Sequence, residues 1–202
     1  MISKQDREHI LSFVRKVVPT VLEEINFDPS VKEVGQAFAN RFEDCLVGKF
    51  VDFDNQFTRA KKNRSSDDVK YKDNFINIKF GYKKNGQPNI CSMHRLFKYF
   101  HEGAIDSYYL LTVDAHGPEI ELFDVVDYLD CTNFNYGTGQ FMLSERKFKK
   151  VYVPNQKARL SKEEKICKIG KMMKIELNRH IELKQKQQQK IDEIVAEYEK
   201  SL

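Results

Sequence analysis

No stretch of this chain stays apolar for the length of a membrane span, and the opening Met1-Ile-Ser-Lys-Gln-Asp-Arg-Glu8 lacks the apolar run of a secretory signal. A membrane-embedded or exported protein is therefore not expected, and the reading is a cytoplasmic one. The four cysteines, Cys45, Cys91, Cys131 and Cys167, are widely spaced and form no C-x-x-C or Cys/His pattern. That sets aside a structural zinc site and a disulfide framework, leaving reduced, mostly buried thiols. No unit repeats along the chain, and tryptophan is absent. Also missing is a strong excess of one charge. Lysine and arginine number 34 against 30 acids, a formal net charge of +4, which hints at a polyanionic partner without establishing one.

What is present suits one domain over residues 1–202, with enough chain to bury a core and to carry a protruding helical arm. Ile10, Phe13, Val14, Val17, Val18, Val21 and Leu22 recur at helical spacing over about 4–25, with a bend or break expected near Pro19. Ser30, with Glu33 as its box partner, is expected to cap a second helix from Val31 to Phe50 that turns Val34, Phe38, Phe42, Cys45 and Leu46 inward. Residues 52–66 carry no period and are expected to form a loop. Ser92 to His101 is expected to be a short helix stopped by Gly103. Asp106 to Val113 is an apolar run suited to a central buried strand, and Glu119 to Leu129 to another. Ser161 and Glu164 form a capping box for a long terminal helix, expected over 161–200, whose stretch after Leu183 turns polar on all sides before Ile191, Ile194, Val195 and Tyr198 resume a stripe. The bland account of that tail is a solvated helix or a partner-binding arm. The order helix, strand, strand, helix, strand, strand points to an α/β fold, an α+β mixed sheet flanked by helices.

The most informative stretch is Asp67-Asp68-Val69-Lys70-Tyr71-Lys72-Asp73-Asn74-Phe75-Ile76-Asn77-Ile78-Lys79-Phe80. Two runs of β-formers flank Asp73-Asn74, residue types that tolerate the positive φ of a two-residue hairpin turn. That turn would pair Lys72 with Phe75, Lys70 with Asn77 and Asp68 with Lys79. Strand side chains alternate, so Asp68, Asn77 and Lys79 would share one face, with Asp67 on the other. Hydrolysis of a phosphodiester needs a metal to activate water and neutralise charge, and hard Mg²⁺ wants oxygen ligands. Asp68, the Asn77 carbonyl oxygen and the backbone carbonyl of Ile78 are the candidate ligands. Lys79 is the candidate to orient or deprotonate water and to stabilise developing negative charge. An ordinary amphipathic hairpin with a cross-strand Asp68–Lys79 ion pair fits the same residues.

Asp68…Asn77-Ile-Lys79 resembles the catalytic core of the PD-(D/E)xK nucleases, with Asn77 where an acid is usual and no proline before the first acid. More narrowly, Val34-Gly35…Phe42-Glu43-Asp44, Ile76-Asn-Ile-Lys-Phe80 and Pro88-Asn-Ile…Leu96-Phe-Lys-Tyr-Phe-His-Glu-Gly103 resemble type II restriction endonucleases of that superfamily. The likeness runs more loosely through Tyr108–Val113, Gln140 and the terminal helix. It implies a restriction-endonuclease-like domain with its nuclease core and recognition loop in 67–145. It further implies a homodimer that uses Mg²⁺ to cut a palindromic, A/T-rich site in double-stranded DNA. On this reading Asp68 and Asn77 hold metal, Lys79 acts on water, and Glu43 is a candidate outer ligand.

Site selection requires base-edge contacts in addition to phosphate contacts, and amide side chains pair two-pronged with adenine. The amide-rich segment Thr132–Gln140 is the leading recognition element, with Asn133, Asn135 and Gln140 as readers; a plain Gly/Asn turn between strands fits it equally well. Arg59, Lys61, Lys62 and Arg64 form a basic loop suited to phosphates, and His94 and Arg95 are further candidates for facing DNA. Two rival functions remain at this level: a structure-selective repair or resolvase nuclease, and a non-catalytic DNA- or partner-binding module.

Overall fold

The computed structural model describes residues 1–28, 30, 35–59, 68–81, 89–115, 119–153 and 160–201. Helix α1 (Lys4–Glu24) starts at a capping box between Ser3 and Asp6 and buries Ile10, Leu11, Phe13, Val14 and Val21. It runs through Pro19 without the expected break. Proline removes one intrahelical hydrogen bond, and at this exposed position water can serve the freed carbonyl. Helix α2 (Gln36–Phe53) begins later than expected, with Gly35 rather than Ser30 as its N-cap. The Ser30 amide instead donates to the Asp28 side chain, and 31–34 lie outside the described residues. The α2 helix also continues past Phe50, so the expected loop is shorter, and Phe57–Arg59 pairs as strand β1.

Strands β1, β2 (Val69–Tyr71), β3 (Asn74–Phe80), β5 (Ser107–Val113) and β6 (Ile120–Asp124) form a five-stranded sheet in the order β1-β2-β3-β5-β6. Only β3 and β5 are parallel; the other neighbours are antiparallel. The β3-to-β5 connection carries β4 (Asn89–Ser92) and α3 (Met93–His101), the helix capped by Ser92 and followed by Gly103 at φ +70°. Strand β5 is buried along its whole length, because both sheet faces are covered. Tyr109, Leu111 and Val113 join the α1/α2 side, packed with Phe42, Leu46, Phe50 and Ile78. Tyr108 and Leu110 join the opposite core with Leu96, Phe100, Phe123, Phe148 and Ile169.

After β6 the chain forms a short 3₁₀ segment (Val126–Cys131) rather than more strand. It then makes a hairpin of β7 (Thr132–Asn135) and β8 (Gln140–Leu143), which joins β4 in a second sheet ordered β4-β8-β7. Helix α4 (Glu145–Val151) and the 40-residue α5 (Lys162–Ser201) complete the fold. The α5 cap matches expectation: the Glu164 amide donates to Ser161 Oγ at 3.2 Å and the Ser161 amide to Glu164 Oε2 at 2.7 Å. Mixed α/β architecture with a mixed sheet and a long terminal helix is thus what the chain adopts.

Candidate active site

The turn between β2 and β3 is Lys72-Asp73, not Asp73-Asn74. Tyr71 lies opposite Asn74, Lys70 opposite Phe75 and Val69 opposite Ile76. Two local features hold this register. Lys72 takes the left-handed conformation (φ +52°), and Asn74 Nδ2 donates back to the Tyr71 carbonyl at 3.2 Å. Asn74 is therefore occupied in closing the turn from its far side. The correction moves each pairing by an even step, so the assignment of residues to faces survives it. Val69, Tyr71, Ile76, Ile78 and Phe80 lie in the α1/α2 core, while Asn77 and Lys79 alternate with them. The paired register ends at Val69 opposite Ile76, and the Asp68 amide also reaches the Ile76 carbonyl, so Asp68 does not pair with Lys79.

Asp68 immediately precedes β2. Its amide still donates to the Ile76 carbonyl at 3.0 Å. Its own side chain then replaces the strand: the Ile78 amide donates to Asp68 Oδ2 at 2.6 Å. In an extended strand the N–H and C=O of one residue face the same neighbour, so the Ile78 carbonyl lies on this edge too. The predicted Asp68–Lys79 ion pair is not the contact formed. Lys79 Nζ sits 3.3 and 3.4 Å from the two oxygens of Glu43 on α2. Glu43 and Lys79 side chains are 14% and 23% exposed, so both stand at the margin of the core and water reaches them.

The electrostatics follow from two carboxylates sharing one lysine. Burial pushes the Glu43 carboxyl up to about 7; the Lys79 ammonium pulls it down and the Asp68 charge raises it further. Burial also raises Asp68, opposed by Lys79 and by the Ile78 amide, with the Asp44 charge adding to the rise. A cation placed here would relieve both groups. Asp68, Glu43 and the Ile78 carbonyl make an all-oxygen donor set of the kind Mg²⁺ prefers, alongside waters and phosphate oxygens. This set has two acids: among the described residues, no group of three or more histidine, cysteine, aspartate or glutamate side chains is arranged to hold a metal.

Asn77 is 4% exposed and has another task in this arrangement. Its Nδ2 donates to the Ile90 carbonyl at 2.8 Å and to the Tyr108 hydroxyl at 2.9 Å. These bonds tie the candidate catalytic strand to β4 and thus to the second sheet. Neither Ile90 nor Tyr108 stands out in the sequence for this.

The candidate DNA contacts divide. Lys61, Lys62 and Arg64 lie outside the described residues. Arg59 lies on β1 and is held to α2, its guanidinium donating to the Asp44 carbonyl at 3.1 Å. His94 is exposed and Arg95 half-buried on α3, with the Arg95 amide serving the Ser92 cap. The amide-rich segment is the β7–β8 hairpin. Asn135 Oδ1 accepts from the Gly137 and Thr138 amides at 2.9 and 3.3 Å, so this side chain shapes the turn. Asn133 Oδ1 accepts from Lys147 Nζ at 3.1 Å. Gln140 is half-buried, opposite Asn135 on one side and Ser92 on the other.

No protein-family model matches the chain, and no curated protein matches it as a relative. Among the described residues, no helix is long and apolar enough to cross a membrane.

Proposed function

We propose that the chain is a Mg²⁺-dependent DNA endonuclease with a PD-(D/E)xK-type core, of the type II restriction kind, acting as a homodimer on a palindromic double-stranded site. The observation that carries this reading is the gathering of Glu43, Asp68, the Ile78 carbonyl and Lys79 at the point where β2 parts from β3. Three distant parts of the chain bring oxygen ligands and one cation to a sheet edge, with more negative charge than the lysine neutralises.

The residues divide the work by chemistry. Asp68 and Glu43 would hold the metal, with the Ile78 carbonyl beside them. Bound there, Mg²⁺ supplies charge neutralisation at the phosphate and lowers the pKa of water. Lys79 orients the attacking water and offsets negative charge developing on phosphorus-bound oxygens. Glu43, raised to about 7 when no cation lies beside it, would give up that proton as the metal binds. Asn77 supports the site through Ile90 and Tyr108, which gives its substitution for an acid a positioning role. The same substitution favours a second reading, a DNA-binding module without catalysis, since a metal held by two acids is bound more weakly than one held by three.

Incubation of the chain with supercoiled plasmid and Mg²⁺ tests the proposal. Nicks and linear product in wild type, with Lys79→Ala losing at least about a thousandfold in cutting rate, would correspond to about 4 kcal/mol of lost transition-state stabilisation. DNA binding should persist in that variant and fall steeply with salt. Undiminished cutting by Lys79→Ala would remove the assignment. Discrete ends in sequenced products separate a restriction enzyme from a structure-selective nuclease.

A further inference from the structure

Beyond its contact with the body of the protein, α5 continues as an arm. Its first half is anchored by Lys165 and Ile169, and by Glu176, whose Oε2 accepts from the Tyr136 hydroxyl at 2.8 Å. Every residue from Ile181 to Lys200 is exposed. At 1.5 Å per residue that is about 30 Å of helix exposed along its whole length. A lone helix of such length is marginal in water, since most helical stability comes from packing an apolar face.

The arm has such a face. Leu177, Ile181, Lys184, Gln188, Ile191, Val195 and Tyr198 alternate at spacings of four and three, a continuous heptad spacing. Its apolar members are between 47% and 71% exposed. Two polar residues, Lys184 and Gln188, interrupt the seam at its middle. Charge is divided along the length. From Lys174 to Lys190 there are five lysines and arginines and two glutamates; from Ile191 to Lys200 there are four acids and one lysine. Asp192, Glu193, Glu197 and Glu199 also gather toward the carbonyl end of the helix, where the macrodipole already disfavours negative charge.

We infer that this arm pairs with the same arm of a second copy, antiparallel, as a two-stranded coiled coil. One register satisfies the whole seam. Leu177 meets Val195 of the other copy, Ile181 meets Ile191, and Lys184 meets Gln188, each pair occurring twice by symmetry. Apolar layers stack on apolar layers, and the two polar residues face each other at the centre, where they fix the register at some cost in stability. Sliding by one heptad would set Lys184 against Val195. A parallel pair would set Lys184 against Lys184 and acidic half against acidic half. The antiparallel pair instead lays each basic half along the other's acidic half and brings Lys174 over the Tyr198 ring, a favourable cation–π geometry. It also sets positive charge beside the crowded acids at each helix end.

This pairing supplies a physical basis for the two-copy part of the proposed function, but it does not depend on the nuclease chemistry. It is tested without DNA or metal. In sedimentation equilibrium the full chain should show a monomer–dimer equilibrium at micromolar concentration. Ile191→Asp should raise the dissociation constant at least about tenfold, and Ile181→Asp likewise, with thermal unfolding of the body unchanged because both positions are exposed. In a Cys167→Ser background, mixing Ile181→Cys chains with Ile191→Cys chains should give a disulfide-linked dimer, while Ile181→Cys alone should not cross-link. A monomer at 100 µM (~10⁻⁴ M, the weak end of specific association), an unchanged dissociation constant in both aspartate variants, or self-linkage of Ile181→Cys would each overturn the inference. Loss of plasmid cutting with the dimer intact would instead count against the nuclease reading alone.

Discussion

Lys165 and Lys79 both meet carboxylates beside the five-stranded sheet, on opposite sides of its core. Lys165 is fully buried, and its Nζ lies 2.6 Å from Asp124 Oδ2, 2.5 Å from Ser107 Oγ and 3.4 Å from the Asp106 carbonyl. Three protons find three acceptors. The other Asp124 oxygen accepts from the Val126 amide at 3.0 Å, so this one-to-one pair is closed on itself. Lys79 has two acids to serve, at longer range, and stays within reach of water. Identical chemical parts thus make a lock in one place and an unbalanced cluster in the other. Closure suits a structural duty, and the two-acid cluster at the accessible edge is where the proposed metal would sit.

The contrast can be broken most forcefully at Lys165. Lys165→Met leaves Asp124 buried without its cation and should cost about 3–5 kcal/mol, read as a lower urea midpoint with an unchanged slope. A loss below about 1 kcal/mol would mean the pair is not the lock described. At the other cluster the expected sign is reversed. Glu43 takes up its proton at about 7 in the folded chain against 4.5 as its ordinary value. Its contribution to stability is complete below pH 4.5 and is lost as pH rises through 7, to a total of at most about 3 kcal/mol. Glu43→Gln should therefore flatten the stability profile between these limits and leave the protein no less stable at pH 8. The same variant should bind Mg²⁺ more weakly, and wild-type affinity for Mg²⁺ should rise as pH passes 7; calorimetric titration at pH 6 and 8 reads both.

The smallest effect is expected at Asn77. Asn77→Asp adds the acid usual in the resembled family, but it replaces a donor to the Ile90 carbonyl with an acceptor. We expect a loss of about 1–3 kcal/mol in thermal unfolding without metal, the penalty of a mismatched buried hydrogen bond. A variant as stable as wild type would show that Asn77 is not needed as the tie between the two sheets.

How much of this was legible varied with the physics of each element. Strand β5 could be read directly, because burial on both faces leaves an uninterrupted apolar run. The Ser161–Glu164 box was readable because capping is local. The hairpin turn was misplaced by one residue: Asp73-Asn74 has the better turn composition, but the Asn74 side chain serves the turn from outside it. Strands β1 and β4, at three and four residues, are too short to show a period. Asp68 and Lys79 could be singled out by alternation alone. That Lys79 would pair with Glu43, and Asn77 with Ile90 and Tyr108, depends on how α2 and β4 pack on β3, which no local pattern encodes.

The Ile78 amide offers a further use. Because it donates to a carboxylate instead of a neighbouring strand, its proton sits in the field of one titratable oxygen. In a nitrogen-15 NMR spectrum that single resonance should follow the protonation of Asp68 and shift again when a divalent ion arrives. The backbone thereby carries its own indicator of the site's charge, readable in an unmodified protein and with no substrate present.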